Sequence, residues 1–142
     1  MNLTRKQKKI RAQILSPLKF KFFTLSKLPL AFLSGIKTTE LTTKSASTTV
    51  RYKYLNTNPF KSIYYGALAM TAELSTGVLA ILSIAKHKES ISLLVVESHG
   101  KFHKKAFGKI KFTCEDGELF QRELEKCVTE KTPVTVKSHT KG

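Results

Sequence analysis

The stretch Tyr64–Ala85, YYGALAMTAELSTGVLAILSIA, decides how the rest of the chain is interpreted. It is apolar along almost its whole length and carries a single acid, Glu73, near its middle. As a helix of 22 residues it would extend about 33 Å, which is enough to cross a lipid bilayer. Lys61 and Lys86 flank it on either side. The stretch is therefore either a membrane span or the central helix of a folded domain.

Several features favour a buried helix over a span. A carboxylate at the centre of a span would cost about 2.5 kcal/mol or more on insertion. Hydroxyl side chains and two glycines also interrupt the apolar run. The remaining sequence contains alternating strand patterns, and such strands need an element that covers their inner face. We therefore predict an α+β fold in which a curved antiparallel sheet wraps around one long central helix at about residues 64–85, without a membrane span.

Alternation of apolar and polar residues predicts strands on both sides of this helix. In Val50–Tyr54, residues Val50, Tyr52 and Tyr54 would face the core while the residues between them face solvent. Downstream of the helix, we expect strands at Ser92–Phe102, Phe107–Glu115 and Val134–Lys137, with a short amphipathic helix at Glu118–Val128.

The N-terminal region is predicted to be helical after a basic leading segment. Pro17, preceded by Ser16, starts a helix that Pro29 interrupts and Gly35 ends. Residues 1–15 are strongly basic, and we expect them to be frayed and solvated. The alternative for this segment is an arm that binds nucleic acid or an anionic membrane.

The composition indicates one basic domain, residues 1–142, in a reducing compartment. The chain has 25 Lys and Arg against 10 Asp and Glu, for a net charge of +15. This excess attracts anionic partners without choosing between nucleic acid, membrane, phosphorylated ligands and acidic proteins. Cys114 and Cys127 lack zinc or redox spacing, so we expect free thiols and no metal site. With no secretory signal pattern at the N-terminus, a cytoplasmic location is predicted.

Glu73 is the candidate for chemistry. A carboxylate is seldom buried unless it is paired or functional. One interpretation is structural: Glu73 pairs with a lysine or lies at the rim of the helix. The other is a half-dry pocket that raises the pKa of Glu73, so that it can act as a general base or nucleophile.

The sequence around Glu73 resembles a known pattern. Small hotdog-fold acyl-CoA thioesterases of the phenylacetate and 4-hydroxybenzoyl type carry N-x-x-x-x-x-H-G-G-x-x-x-x-x-x-D/E-x-x-x-G. In NPFKSIYYGALAMTAELSTG, Asn58, Gly66, Glu73 and Gly77 keep this spacing. The text LPLAFLSGIK and HKKAFGKIKFTCEDG is similar to an uncharacterised thioesterase-like branch of the same superfamily, so the resemblance covers about Leu28 to Val136.

The resemblance implies a hotdog fold and hydrolysis of an acyl-CoA or acyl-carrier-protein thioester. Glu73 would be the catalytic acid, and the helix start near Gly66 would bind the oxyanion. Asn58, Tyr64, Tyr65, Gly66 and Gly77 would contribute to substrate binding. No cofactor is implied beyond the coenzyme A moiety of the substrate. Proteins of this superfamily form homodimers or dimers of dimers with the site at the interface.

Two departures from the pattern keep other functions open. Tyr64-Tyr65 replaces the His-Gly pair, so a non-catalytic acyl-CoA-binding module or dimer scaffold is the alternative to an enzyme. Similar chains also end in a further strand with a Trp, whereas this sequence has no Trp, so we expect the final strand to be missing. A nucleic-acid-binding protein fits the charge, but no motif for reading a specific nucleic acid is present.

Overall fold

The computed structural model describes residues 2–142, which form a four-stranded sheet and five helices. A single turn of 3-10 helix, Tyr54–Asn56, follows the second strand. In chain order, the helices are α1 (Arg5–Leu15), α2 (Pro17–Lys27), α3 (Pro29–Ser34), α4 (Tyr65–Ile84) and α5 (Gly117–Glu130), and the strands are β1 (Lys37–Leu41), β2 (Ala46–Arg51), β3 (Lys109–Cys114) and β4 (Thr140–Lys141).

The sheet is antiparallel throughout, with the strand order β1-β2-β3-β4. Its longest ladder joins β2 to β3 and runs from the pair Ala46–Cys114 to the pair Arg51–Lys109. The pairing of β1 with β2 is interrupted by an irregularity between Thr38 and Glu40. Antiparallel pairing and one long helix are what the sequence predicted, and the architecture is compatible with a hotdog fold.

The central helix is confirmed as α4, and it packs against the sheet. Within residues 2–142 it is the one helix long and apolar enough to cross a membrane, but half of that stretch is buried inside the fold. Its hydroxyl groups find partners there. The hydroxyl of the buried Thr71 donates to the Ala67 carbonyl at 2.6 Å, and the hydroxyls of Ser75 and Thr140 lie 2.9 Å apart. These polar residues are therefore compatible with burial because they are hydrogen-bonded.

Two clusters of buried apolar side chains hold the helix to its surroundings. One joins the C-terminal half of α4 to α5 and the sheet, and the other joins its N-terminal half to α3 and β2. The largest members of the first are Leu41, Val78, Leu79, Leu82 and Phe120, and those of the second are Ile36, Val50, Ile63 and Leu68.

The N-terminal segment differs from the frayed arm that its charge suggested. Thr4 and Gln7 form a reciprocal capping box that starts α1. The buried Gln7 side chain donates to the Leu82 carbonyl at 3.0 Å, and Arg11 donates to the Leu41 carbonyl at 2.6 Å. Residues 5–15 are therefore a docked helix, and the missed signal was the Thr-x-x-Gln spacing at its start.

The helix boundaries after Ser16 follow the predicted punctuation. Pro17 and Pro29 each occupy the first turn of a helix, where a missing N–H costs nothing. Gly35 ends α3 in the left-handed conformation with a φ of 73°.

The predicted strand Val50–Tyr54 is wrong in its second half. Strand β2 ends at Arg51, and Tyr54 is 89% exposed rather than inward-facing. The cause is Asn56, whose buried side chain accepts from the Lys53 amide and donates to the Ser34 and Arg51 carbonyls. These bonds turn the chain into the 3-10 helix before the alternation can continue.

Two further predicted strands are absent from the described residues. Ser92–Phe102 is irregular and exposed, and it pairs with no strand among the described residues. Val134–Lys137 is also irregular, and the last ladder instead joins β4 to Thr113 and Cys114. By contrast, β3 and α5 confirm the predicted strand at Phe107–Glu115 and helix at Glu118–Val128.

Candidate functional site

Glu73 points away from the sheet. Thr71 and Ser75 both bond toward the sheet, and Glu73 lies about 200° around the helix from each of them. Its side chain is exposed and forms no ion pair among residues 2–142. In the single chain, Glu73 therefore occupies the open face of the helix, which agrees with the structural interpretation of this acid. The half-dry pocket of the other interpretation would need a second molecule to cover that face.

The start of α4 offers backbone donors. No side chain caps the helix, and Ala67 is the first residue whose amide bonds back, at 3.0 Å to the Tyr64 carbonyl. Within residues 2–142, the amides of Tyr65 and Gly66 form no hydrogen bond. Free amides at the positive end of a helix dipole favour a negatively charged ligand atom.

Tyr64 lies over this helix start. A Cβ placed on Gly66 would come within 2.9 Å of the Tyr64 ring, so the absence of a side chain at Gly66 is what lets the ring pack there. Tyr65 turns the other way and contacts Phe102 edge-on, with ring centroids 5.3 Å apart. Phe102 was not predicted as a site residue, because nothing in the sequence indicates that the segment after α4 returns to its start.

Asn58 organises the loop that leads into α4. Its side-chain oxygen accepts from the amides of Phe60 and Ser62, and its amide group donates to the Ser62 hydroxyl at 2.9 Å. The Ser62 carbonyl in turn accepts from the Asn58 backbone amide. Because the side chain is committed to this turn, Asn58 acts on the helix start by fixing its entry.

Gly77 leaves space beside Glu73. It lies four residues further on, one turn along the same face, and a Cβ built on it would meet nothing within 4 Å. No contact inside the chain therefore requires glycine at this position, although glycine weakens a helix interior by about 1 kcal/mol. The open space lies on the helix face that carries the acid.

Within one chain, the acid and the free amides lie apart. Gly66 and Glu73 are seven residues, or about 10 Å, apart along the helix. A single carbonyl group cannot contact both. The arrangement can therefore act on one thioester only if the two groups come from different copies of the chain.

Other candidate groups lie elsewhere. A groove of about 500 Å³ on the outer face of the sheet is lined by Lys37, Arg51, Lys53 and Lys109, on the opposite side of the sheet from α4. Cys114 is fully buried, and burial raises the pKa of its thiol, as expected for a core residue rather than a nucleophile. Among residues 2–142, no group of three or more potential metal ligands is found.

Similar proteins are found among solved structures but not by comparison of sequences. No protein-family model matches the chain, and no curated protein is significantly similar to it in sequence. A protein of unknown function from Pseudomonas aeruginosa, described as a "probable thioesterase", is 25% identical with a TM-score of 0.62, over 84% of this chain and 78% of that one.

Two more distant structures share the fold. A "putative thioesterase" from Shewanella oneidensis is 10% identical with a TM-score of 0.63, over 76% of this chain and 71% of that one. A protein of unknown function from Chlorobaculum tepidum is 17% identical with a TM-score of 0.67, over 82% and 75% of the two chains. The chain therefore has a thioesterase-like fold, with a mixed α and β composition, an antiparallel sheet and one long helix.

Proposed function

We propose that the protein is a thioester hydrolase that acts on acyl-CoA or acyl-carrier-protein substrates at the exposed face of α4. The observation that carries the proposal is an unpaired carboxylate, Glu73, on the same helix as two free amides at its start, in a chain with a thioesterase-like fold. A cytoplasmic location, predicted from the free cysteines and the absence of a secretory signal pattern, is part of the same proposal.

In this proposal, Glu73 and the helix start have separate tasks. As a general base, Glu73 takes a proton from water as the water attacks the thioester carbonyl, and the developing oxyanion accepts hydrogen bonds from the amides of Tyr65 and Gly66. Collapse of the tetrahedral intermediate breaks the C–S bond, and the thiolate takes up the proton. As a nucleophile, Glu73 would instead attack the thioester carbonyl and expel the thiolate, and water would then cleave the resulting anhydride into the acid product and free Glu73.

The separation of about 10 Å between Gly66 and Glu73 makes the proposed enzyme a homodimer, alone or as a dimer of dimers. The acid of one copy would face the helix start of the other. Residues 90–105, which form no backbone hydrogen bond within residues 2–142, support this arrangement because they carry an uncharged run, Ser90–Val96, whose Leu94 is 85% exposed. Such a run completes its backbone hydrogen bonds when it pairs with another strand.

A thiol-release assay across acyl-CoA and acyl-carrier-protein substrates of different chain length tests the activity. We expect Glu73→Gln to lower turnover by about a hundredfold or more, as loss of a general base does. Because Glu73 is exposed and unpaired within residues 2–142, the variant should fold normally. Glu130→Gln, the same change at an exposed residue of α5, is the matched control and should keep full turnover. Unchanged turnover in Glu73→Gln would refute the assignment.

A non-catalytic acyl-CoA-binding module is the second candidate, and the position of Tyr64 favours it. Its ring lies against Gly66, where the carbonyl group of a substrate would approach the helix start. In this case, coenzyme A and acyl-CoA would bind tightly to the wild type without thiol release. Calorimetry beside the activity assay separates the two functions.

A further inference from the structure

Helix α2 exposes an apolar stripe. Phe20 and Thr24 point into the fold and are buried. Leu18, Phe22 and Leu25 follow the i, i+4, i+7 spacing of the opposite face, and Leu18 and Phe22 are 70% and 69% exposed. A helix on the surface of a soluble domain normally places its apolar stripe inward and its polar face outward. Helix α2 differs because its outward face also carries large apolar residues.

Helix α3 extends the exposed apolar surface. Ala31 and Ser34 are buried, whereas Leu30 is 67% exposed and Leu33 is also exposed. A shallow groove of about 220 Å³ runs between the two helices. We call the combined surface of α2 and α3 the α2–α3 face; its exposed large apolar residues are Leu18, Phe22, Phe23, Leu25, Leu28, Leu30 and Leu33.

Positive charge lies on this face, and none of its lysines is in an ion pair within residues 2–142. The exposed lysines Lys19, Lys21 and Lys27 lie among the apolar residues of α2. In the sequence, Glu40 is the first acidic residue, so residues 1–39 carry nine cations and no carboxylate side chain. The nine are Arg5, Lys6, Lys8, Lys9, Arg11, Lys19, Lys21, Lys27 and Lys37.

The combination of exposed apolar residues and lysines indicates which kind of partner the α2–α3 face can bind. A second copy docked face to face would set the same lysines against each other, and α2 and α3 themselves carry no acid to compensate. A nucleic acid would satisfy the charge but has no use for a stripe of Leu and Phe, because protein–DNA interfaces are predominantly polar. An anionic lipid surface satisfies both, since apolar side chains enter the acyl boundary while lysines reach the headgroups.

We propose that the α2–α3 face docks the protein on anionic membrane surfaces, with α2 lying in the plane of the interface. The inference concerns peripheral binding and does not rest on the proposed hydrolysis, since Glu73 lies on another helix. Vesicle binding with inactive Glu73→Gln protein therefore separates the two.

The absence of Trp from the chain provides a clean reporter. In the full chain with Phe22→Trp, we expect a blue shift of Trp emission on vesicles of phosphatidylcholine and phosphatidylglycerol in equal parts, and little shift on phosphatidylcholine alone. Phe107→Trp is the control, because Phe107 is exposed outside the α2–α3 face, and it should not shift. A shift of both reporters, or of neither, would overturn the proposal.

Charge and apolar contributions are then tested separately by co-sedimentation with the same vesicles. Replacing Lys19 and Lys21 with Gln should weaken binding about thirtyfold, because each cation near an anionic surface contributes about a factor of five. The control replaces the exposed Lys126 and Lys137 with Gln, which removes the same charge elsewhere, and should weaken binding much less.

Leu18→Ser combined with Phe22→Ser should also weaken binding by about tenfold or more, since the buried apolar area is lost. Circular dichroism checks that each variant is folded. If this variant binds vesicles like the wild type but changes from dimer to monomer in ultracentrifugation, the occupant is a second copy and the proposal is wrong. If duplex DNA rather than vesicles shifts the Trp emission, the occupant is nucleic acid and the proposal is equally wrong.

Discussion

Gly117 and Gly77 receive opposite predictions for the same substitution to alanine. A Cβ on Gly117, the first residue of α5, would lie 2.2 Å from the Thr43 carbonyl oxygen and 2.5 Å from the Lys44 Cα. Both are backbone atoms of the β1–β2 turn, so they cannot move aside as a flexible side chain could. A Cβ on Gly77 would meet nothing within 4 Å.

The expected magnitudes follow from these contacts. Overpacking against Thr43 and Lys44 costs about 1–3 kcal/mol, and loss of the 2.9 Å bond from the Gly117 amide to the Lys44 carbonyl adds about 1 kcal/mol. We therefore expect Gly117→Ala to lower the free energy of unfolding by about 3 kcal/mol. Gly77→Ala should raise it by up to about 1 kcal/mol, because alanine favours the helix.

Urea denaturation and thermal melting of the two variants beside the wild type provide the measurement. At about 3 °C per kcal/mol for a chain of this size, the melting temperatures of the variants should differ by about 10 °C, with Gly117→Ala lower. Equal stability of Gly117→Ala and the wild type would refute the close approach of α5 to the turn. Destabilisation by Gly77→Ala would show that a second copy covers the helix at Gly77, because nothing within the chain contacts a Cβ there.

Two further predictions concern buried polar groups. Asn56→Ala should lower the free energy of unfolding by about 3 kcal/mol in urea denaturation, because it leaves one amide and two carbonyl groups of the backbone without their partner. The control Asn2→Ala, at an exposed residue, should leave the stability unchanged. Equal effects of the two substitutions would contradict the role of Asn56 in the turn. With Ellman's reagent, the half-buried Cys127 should react in the native protein, whereas Cys114 should react only on unfolding, because burial raises the pKa of the Cys114 thiol. Cys127→Ser should remove the fast phase of the reaction. Fast reaction of both thiols would contradict the burial of Cys114.

Local patterns predicted the elements that depend on local causes. The central helix, the proline and glycine boundaries of α2 and α3, strand β3 and helix α5 all follow from periodicity or punctuation within their own segments. The prediction of local structure failed where a contact with a residue distant in sequence determines that structure. Tyr54 leaves the strand because Asn56 bonds to Ser34 across the fold, and α1 is docked because Gln7 reaches Leu82. The Thr4-x-x-Gln7 spacing signals that α1 begins there, but no pattern within either segment specifies the distant contact.

The site was predictable as a spacing but not as an environment. The interval from Asn58 to Glu73 placed the acid on the central helix and near its middle, where the structure has it. Whether the carboxylate is dry or wet depends on what covers the outer face of α4, and that is a property of the assembly. The same holds for Tyr64, whose ring position over Gly66 depends on a rotamer that sequence spacing cannot specify.

Two exposed apolar surfaces of the chain, Ser90–Val96 and the α2–α3 face, differ in chemistry, and this difference supports two different partners. Ser90–Val96 is free of charge and rich in β-branched and aliphatic residues, so it can pair with an identical strand without repulsion. The α2–α3 face combines apolar residues with lysines, and the sequence contains no acidic residue before Glu40. A second copy, which carries the same positive charge, is therefore a poor partner for this face, whereas an anionic surface is a good one. In the proposed dimer, pairing of Ser90–Val96 would join the two copies that the proposed hydrolysis needs, because Gly66 and Glu73 lie about 10 Å apart along one helix. The α2–α3 face would make the proposed membrane contact.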